Sequence, residues 1–431
     1  MFKIILLLTA LLFFLIFTAV PVCWALGIVG TVGLLLIGGS ALTFIPQSLY
    51  AGINYFPFLA IPFFIFAGEL MNKGGITKKL IELSRLIIGR VPGSLAYVNI
   101  LASMFFGGIT GSAQADTSCV GGILIPAMRE EGYDDATSVA VTASSSVIGP
   151  IIPPSIIMVI YGSTMNVSVG ALFMGGVVPG ILVGCALMVV VFLQNKTKHF
   201  PVTQKKYSAG EIRRILIDSL IPLGMPVIIM GGILGGIFTA TEAGAVASFY
   251  ALMISMFFLK TVSARDLLPM LRRTALTTAS ILIIIGCSKI ISWVFALLNI
   301  QRAIGDFMGA HVDSPIVFLL LVNILLLFLG TFLDGSAALI MMAPILAPIA
   351  MQYGISPLQF GLIMCINLTI GHATPPLGLC LFIGCKLGRI SLSRGAVAIL
   401  PYVLAEVVVL VLITYLPPLT LTLPRLMGFA V

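Results

Sequence analysis

Two short stretches hold residue types that could do chemistry together: Gly149-Pro150-Ile151-Ile152-Pro153-Pro154 and Gly371-His372-Ala373-Thr374-Pro375-Pro376. Each follows an apolar run that, as a helix rising about 1.5 Å per residue, reaches mid-membrane depth. Proline has no N–H, so in a continued helix Pro153 and Pro154 free the carbonyls of Gly149 and Pro150. Pro375 and Pro376 do the same to Gly371 and His372. Residues ahead of a proline are also pushed out of helical geometry. Bare carbonyls at that depth are costly unless they line water or hold a cation. Two polar, glycine-rich stretches supply the complementary groups. One runs from Gly107 to Ser118 (GGITGSAQADTS), the other from Gly330 to Ser336 (GTFLDGS). Small hydroxyls and unwound carbonyls are ligands for a hard cation such as Na⁺, which prefers oxygen to thiol or imidazole. A proline pair can also merely kink a helix, but here the device occurs twice. A glycine-rich stretch can cradle phosphate, yet the chain has no G-x-x-x-x-G-K-[ST], so an ATP-driven pump is not supported.

The elements that must position these groups follow from composition. Of 431 residues, 59% are hydrophobic and 9% charged, with a mean hydropathy of +1.18. A soluble domain carries roughly 25% charged residues. The composition excludes a soluble enzyme, a disordered chain and a coiled coil, and it indicates an all-α polytopic membrane protein. Long apolar runs without ten-residue alternation exclude an outer-membrane barrel. The 44 Gly and 24 Pro predict that some spans are broken. The net charge of +8 gathers in four clusters, at 73–90, 194–214, 260–273 and 386–394. This is the positive-inside pattern of cytoplasmic loops, not a nucleic-acid surface. The seven Cys form no C-x-x-C pair and support neither zinc nor a disulfide framework. The N-terminal run resembles a signal peptide, but a second apolar run follows at once, so Ile4–Val20 is read as a retained span.

The chain also repeats itself. Val98-Asn99-Ile100-Leu101 recurs as Val322-Asn323-Ile324-Leu325, and Gly111-Ser112-Ala113 as Gly335-Ser336-Ala337, both at an offset of 224. The offset then becomes 222, matching Pro126 to Pro348, Gly149 to Gly371 and Pro153-Pro154 to Pro375-Pro376. In this register Asp334 takes the place of Thr110. Three full crossings between the clusters at 73–90 and 194–214 would violate the charge rule. Ser94–Met128 is therefore read as a re-entrant hairpin, with limbs of about 15 residues, too short to span. Pro315–Tyr353 is read likewise, entering from the outside beyond a link at 300–314 that lacks basic excess. Ten crossings are expected, near 4–20, 22–44, 56–72, 136–161, 169–193, 216–236, 242–259, 275–298, 358–385 and 396–416. Each half then holds five crossings and one hairpin, in opposite orientation, as in secondary transporters. Both termini fall outside. Five segments are expected: 1–93 (scaffold helices and the amphipathic interfacial arm Ile76–Ile88), 94–193 (first transport half), 194–314 (scaffold and second arm), 315–395 (second transport half) and 396–431 (C-terminal helix).

Gly236-Ile237-Phe238-Thr239-Ala240-Thr241-Glu242-Ala243 resembles a signature of the large membrane subunit of tripartite ATP-independent periplasmic (TRAP) transporters. Phe63–Met71 (FFIFAGELM) and Gly107-Gly108-Ile109-Thr110-Gly111-Ser112 resemble that family too, and the resemblance covers essentially the whole chain. It implies an elevator-type importer in the bacterial inner membrane, driven by a sodium gradient and without other cofactor. A periplasmic binding protein would deliver an acidic solute of the C4-dicarboxylate or sialic acid type. A small four-helix membrane subunit, expected here as a separate chain, would complete the scaffold. Carried onto these positions, the resemblance implies one Na⁺ among Thr110, Ser112, Gly149, Ile152 and Pro154. The repeat suggests a second among Asp334, Ser336, Gly371, Thr374 and Pro376. Gln114, Asp116, Ser145 and His372 are candidates for contact with the solute.

Other polar residues inside spans have plainer readings beside the functional one. Asp116 shapes the first sodium site or caps a limb. Lys289 and Glu406 read as scaffold ion pairs or contacts to the small subunit, and Glu242 as a helix cap. His372 reads as a neutral, hydrogen-bonded ring rather than a proton carrier. Two other functions stand beside this reading. A stand-alone sodium- or proton-coupled carboxylate carrier would need neither partner. An intramembrane hydrolase would need a catalytic pair, and Asp116 with Asp334 is the only candidate, without further catalytic groups around it.

Overall fold

Helix starts in this chain are written in its capping residues. Ser112, Asp134, Ser155, Ser168 and Ser391 each accept a backbone N–H of the first helical turn, as such side chains do at an N-cap. Thr239 and Glu242 form a reciprocal capping box: the Thr239 N–H donates to Glu242 at 2.8 Å, and the Glu242 N–H donates to the Thr239 hydroxyl at 3.3 Å. The acidic residue of the TRAP-like signature is thus a helix start, as expected.

The computed structural model describes residues 2–18, 20–37, 43–202, 207–299, 312 and 314–429. Every regular element among the described residues is helical. The chain is a multi-pass membrane protein, and its helices fall close to the expected spans. Helices Phe2–Phe17 and Val22–Ile37, expected in the scaffold, lead to Ala60–Lys73, and the amphipathic stretch expected as an arm forms the helix Ile76–Ile88. The arm buries Ile76, Leu80, Ile81 and Leu83, exposes Lys78 and Glu82, and packs on helices Ser94–Thr110 and Ala209–Leu234.

Several expectations change. A helix at Phe44–Ile53 and another at Pro418–Leu426 were not anticipated; breaks at 54–55 and 416–417 set them off as short pieces. The basic clusters at 194–214 and 260–273 lie partly on helices rather than in loops. Val169–Lys198 runs on through Lys196, Ala209–Leu234 includes Arg213 and Arg214, and Ala264–Leu297 carries Arg265, Arg272 and Arg273 in its early turns. Lys and Arg are good helix formers, so a helix continues past the apolar layer where they follow it. The hairpin limbs are 17, 18, 18 and 18 residues long, not about 15. At about 26 Å they approach the roughly 30 Å hydrocarbon thickness, so length alone does not make them re-entrant. Most of the link at 300–314 lies outside the described residues.

Ion pairs among the described residues fall into two sets. Lys73–Asp266, Lys79–Asp218 (3.6 Å) and Arg273–Glu69 (3.9 Å) join helices expected in the scaffold. Arg129–Asp135 and Arg394–Asp134, both 2.6 Å, join the first hairpin, the first broken helix and the C-terminal helix. Arg129 also donates to the Gly388 carbonyl at 2.7 Å, tying the hairpin to the end of the second broken helix.

Candidate functional site: two hairpin tips on two broken helices

Both broken helices form where the prolines predict. The first comprises Asp135–Ser145, a 3-10 turn at Ser146–Ile148, an irregular stretch, and Ile156–Met165. The second comprises Pro357–Gly371 and Leu379–Gly388. Each break carries a cis Pro–Pro bond, Pro153–Pro154 and Pro375–Pro376. The helices cross: Gly361 lies under the Tyr161 ring, where a Cβ would stand 2.1 Å from it, and the Tyr161 hydroxyl donates to the Pro357 carbonyl at 2.9 Å.

The first hairpin tip sits directly on the first break. A Cβ at Gly107 would stand 2.8 Å from the Gly149 Cα, so two backbones touch there. Gly111 adopts φ +59°, and a Cβ on it would stand 2.5 Å from the Pro154 carbonyl oxygen. The turn between the two limbs therefore lies against the break. Ile151 and Ile152 both donate to the Ile148 carbonyl, at 3.0 and 2.9 Å. The Ile152 side chain packs toward Gly180, and its own backbone lies in the break. Thr110, Ser112, Gly149, Ile152 and Pro154 are thus brought together. The Thr110 hydroxyl is buried there with no hydrogen-bond partner.

The second tip differs, and it corrects the repeat register. Ser112 and Asp334 both cap the second limb of their hairpins. Structurally they correspond at an offset of 222, so the two-residue deletion falls within the tip and not after it. Asp334 therefore corresponds to Ser112, not Thr110, and Ser336 corresponds to Gln114. The oxygens expected to be bare are also engaged: Gly371 accepts from Thr374 N–H at 3.1 Å and His372 from Cys380 N–H at 2.9 Å. The Thr374 hydroxyl donates to Ile370 at 2.9 Å. What meets the second break is Gly330, whose backbone would lie 2.6 Å from a Cβ on Gly371, and Thr331, whose carbonyl accepts from Gly378 N–H at 3.2 Å. Pro376 belongs to the break, while Asp334 and Ser336 turn to the space between the halves.

That space is a cavity of about 430 Å³, lined by Ser112, Gln114, Asp334, Ser336 and His372, with Thr277 and Ser280 from helix Ala264–Leu297 on the opposite wall. Gln114 Nε2 donates to Asp334 Oδ2 at 3.1 Å, joining the two tips, while Gln114 Oε1 accepts from the Ser112 hydroxyl at 3.1 Å. Asp334 Oδ1 accepts from Ser336 N–H at 3.0 Å. His372 Nε2 accepts from Gly335 N–H at 2.9 Å, so a neutral ring carries its proton on Nδ1.

Of the four residues proposed for solute contact, Gln114 and His372 line the cavity. Ser145 does not: it is buried behind the tip, hydrogen-bonded to Asn99 at 3.2 Å and Ser103 at 3.1 Å. Asp116 is fully buried, and its carboxylate has no hydrogen-bond partner. In the second half Asn323 and Asn367 bond at 2.7 Å. These are the repeat partners of Asn99 and Ser145. Lys289 and Glu406 form no ion pair among the described residues, contrary to one expectation for them, and Glu406 is fully buried. Thr277 and Ser280 were missed; their only signal is a run of hydroxyls at 277, 278 and 280 on an otherwise apolar helix.

Comparison with known proteins assigns this architecture. The chain is 39% identical over 415 residues to the sialic acid TRAP transporter large permease protein SiaM of Vibrio cholerae, covering 96% of each. It is 36% identical over 406 residues to the C4-dicarboxylate TRAP transporter large permease protein DctM of Pseudomonas aeruginosa, covering 94% of this chain and 95% of that one. The solved structure of the Alcanivorax borkumensis YdaH transporter, described as having an unusual topology, superposes with a TM-score of 0.67 at 14% identity, covering 94% of this chain and 99% of that one; this likeness concerns the fold alone. Residues 9–419 match the profile of the tripartite ATP-independent periplasmic transporter family, DctM component, and the chain belongs to that family.

Proposed function

We propose that this chain is the translocating subunit of a sodium-coupled importer of acidic organic solutes in the bacterial inner membrane, with both termini periplasmic. A periplasmic binding protein delivers the solute, and a separate small membrane subunit completes the scaffold. The hairpins and broken helices move as one body past the scaffold helices, carrying solute in the central cavity. Two features support that division: ion pairs among the described residues stay within one set or the other, and the cavity has one wall from each. Relatives named for sialic acid and C4-dicarboxylate support the substrate class.

The observation that carries sodium coupling is the Thr110 hydroxyl, buried without a partner one residue before Gly111, whose backbone abuts the Pro154 carbonyl. An unsatisfied buried hydroxyl costs about 1–3 kcal/mol. A cation held by Thr110, Ser112 and the carbonyls of the break removes that cost, and its charge draws the acidic solute toward the cavity. At the second tip, Asp334 contributes a carboxylate near Gly371, Thr374 and Pro376.

The test is uptake into proteoliposomes of succinate and N-acetylneuraminate under an imposed Na⁺ gradient, with and without the small subunit and binding protein. Uptake is expected only with the gradient and both partners. Uptake that ignores Na⁺, or that a pH gradient drives equally, sinks the sodium reading. Uptake by the chain alone establishes the stand-alone carrier instead.

A further inference from the structure

A second, smaller cavity lies where the two sets of helices meet, away from the hairpin tips. It measures about 170 Å³ and is lined by Gly52, Tyr55 and Lys289 on one side and Ser163, Thr164 and Asn166 on the other. Lys289 is exposed and forms no ion pair among the described residues, an expensive state for an ammonium on a membrane helix. Gly52 makes room for its stem: a Cβ there would stand 3.0 Å from Lys289 Cγ. Ser163 is 93% buried (7% exposed), and neither its hydroxyl nor that of Thr164 has a hydrogen-bond partner. Asn166 accepts from the Tyr55 hydroxyl at 3.3 Å through Oδ1, which leaves its amide N–H groups as donors. The ammonium-bearing Lys289, the amide-bearing Asn166 and two residues whose idle hydroxyls are buried in the wall line this space, and no carboxylate lines it.

We infer that Lys289, Ser163, Thr164 and Asn166 form a carboxylate-binding subsite, which holds the acidic end of the solute before it enters the central cavity. The size admits a carboxylate and a carbon or two, not a whole sugar acid. Its place on the route follows from one helix. Thr277, Ser280 and Ile284 of Ala264–Leu297 line the central cavity. Lys289 lies five residues beyond Ile284, about 7.5 Å farther along the axis. It also lies on the side away from Arg272 and Arg273, which is the outer side if those residues face the cytoplasm. A cation there adds attraction for an incoming anion and opposes release outward. The route, though not the binding, rests on the proposed import of acidic solutes.

The chain has two tryptophans, and Trp293 lies four residues from Lys289, on the same helix face and stacked on Phe44 with centroids 4.3 Å apart. With Trp24→Phe, Trp293 becomes the reporter. The full chain in nanodiscs is titrated with sodium acetate at constant Na⁺, and separately with the neutral isostere acetamide. A saturable change in emission is expected with acetate and none with acetamide. Lys289→Met should weaken the apparent acetate affinity at least ten-fold. Ser163→Ala with Thr164→Val should weaken it several-fold, and Lys289→Arg should restore most of it. Equal responses to acetate and acetamide, or an unchanged titration in Lys289→Met, overturn the subsite. A flat wild-type titration, with loss of small-subunit co-purification in Lys289→Met, overturns it in favour of an ion pair with that subunit. Because binding is read without transport, acetate binding and sodium-driven uptake fail separately.

Discussion

The two hairpin–break pairs share a construction and differ in chemistry. In the first, the tip turns through Thr110-Gly111-Ser112 and the buried Thr110 hydroxyl is idle. In the second, the oxygens around the break already accept hydrogen bonds, the tip is capped by a carboxylate, and an imidazole supports it. Behind the tips the contrast continues with Ser145 on Asn99 in one half and Asn367 on Asn323 in the other. One backbone device thus presents an idle hydroxyl on one side of the cavity and an internally bonded carboxylate cap on the other. A repeated fold does not entail a repeated site.

The device itself is the easiest thing to break. Gly111→Ala must place a side chain at φ +59° and 2.5 Å from a carbonyl oxygen, and Gly371→Ala must force one into the Gly330 backbone. Neither obstacle is a flexible side chain, so the tips must lift from the breaks. We expect both variants to lose more than nine-tenths of uptake and to melt lower, with a cost of about 1–3 kcal/mol from overpacking alone. Gly122→Ala, where a Cβ would meet nothing within 4 Å, should leave uptake intact and melt no lower. If Gly111→Ala transports normally while Gly371→Ala does not, only the second tip needs close backbone contact.

How much of this was legible in the sequence depends on what kind of signal each feature leaves. The breaks were legible because proline removes a donor wherever it stands, and the arm because its polar and apolar residues sort by face. The capping boxes could be read from Thr239 and Glu242. The hairpin register could not. Gly111-Ser112-Ala113 and Gly335-Ser336-Ala337 look alike, but capping geometry pairs Ser112 with Asp334. Nor could it be read that the Gly371 and His372 carbonyls find Thr374 and Cys380, because those partners depend on how the loop after the break turns back. Thr277 and Ser280 escaped notice because a hydroxyl on an apolar helix usually bonds to its own backbone.

The contrast in idle and engaged hydroxyls yields a finer test. Thr110→Val removes an oxygen that nothing else uses, whereas Thr374→Val removes one already bonded to Ile370. If the first tip is the oxygen cage, Thr110→Val should raise the Na⁺ concentration for half-maximal uptake about ten-fold, equivalent to about 1.4 kcal/mol. Thr374→Val should shift it less than two-fold. Equal shifts would mean the second hydroxyl leaves Ile370 when the cation binds, and the two cages would then be alike after all.

The smallest expected effect concerns the one bond that joins the unlike tips. Gln114 donates to Asp334 at 3.1 Å across the cavity while also accepting from Ser112, so two hydrogen bonds in series link the caps of the two tips. A double-mutant cycle of Gln114→Ala and Asp334→Ala, read as melting free energy at fixed Na⁺, should give a coupling of about 0.5–1.5 kcal/mol, the usual net worth of a hydrogen bond. The informative quantity is its dependence on sodium. If occupancy of the first cage reorients Ser112, the coupling changes between low and saturating Na⁺, and the tips act as one gate. A coupling that stays constant across that range makes the bond a fixed strut, and the two tips then fill independently.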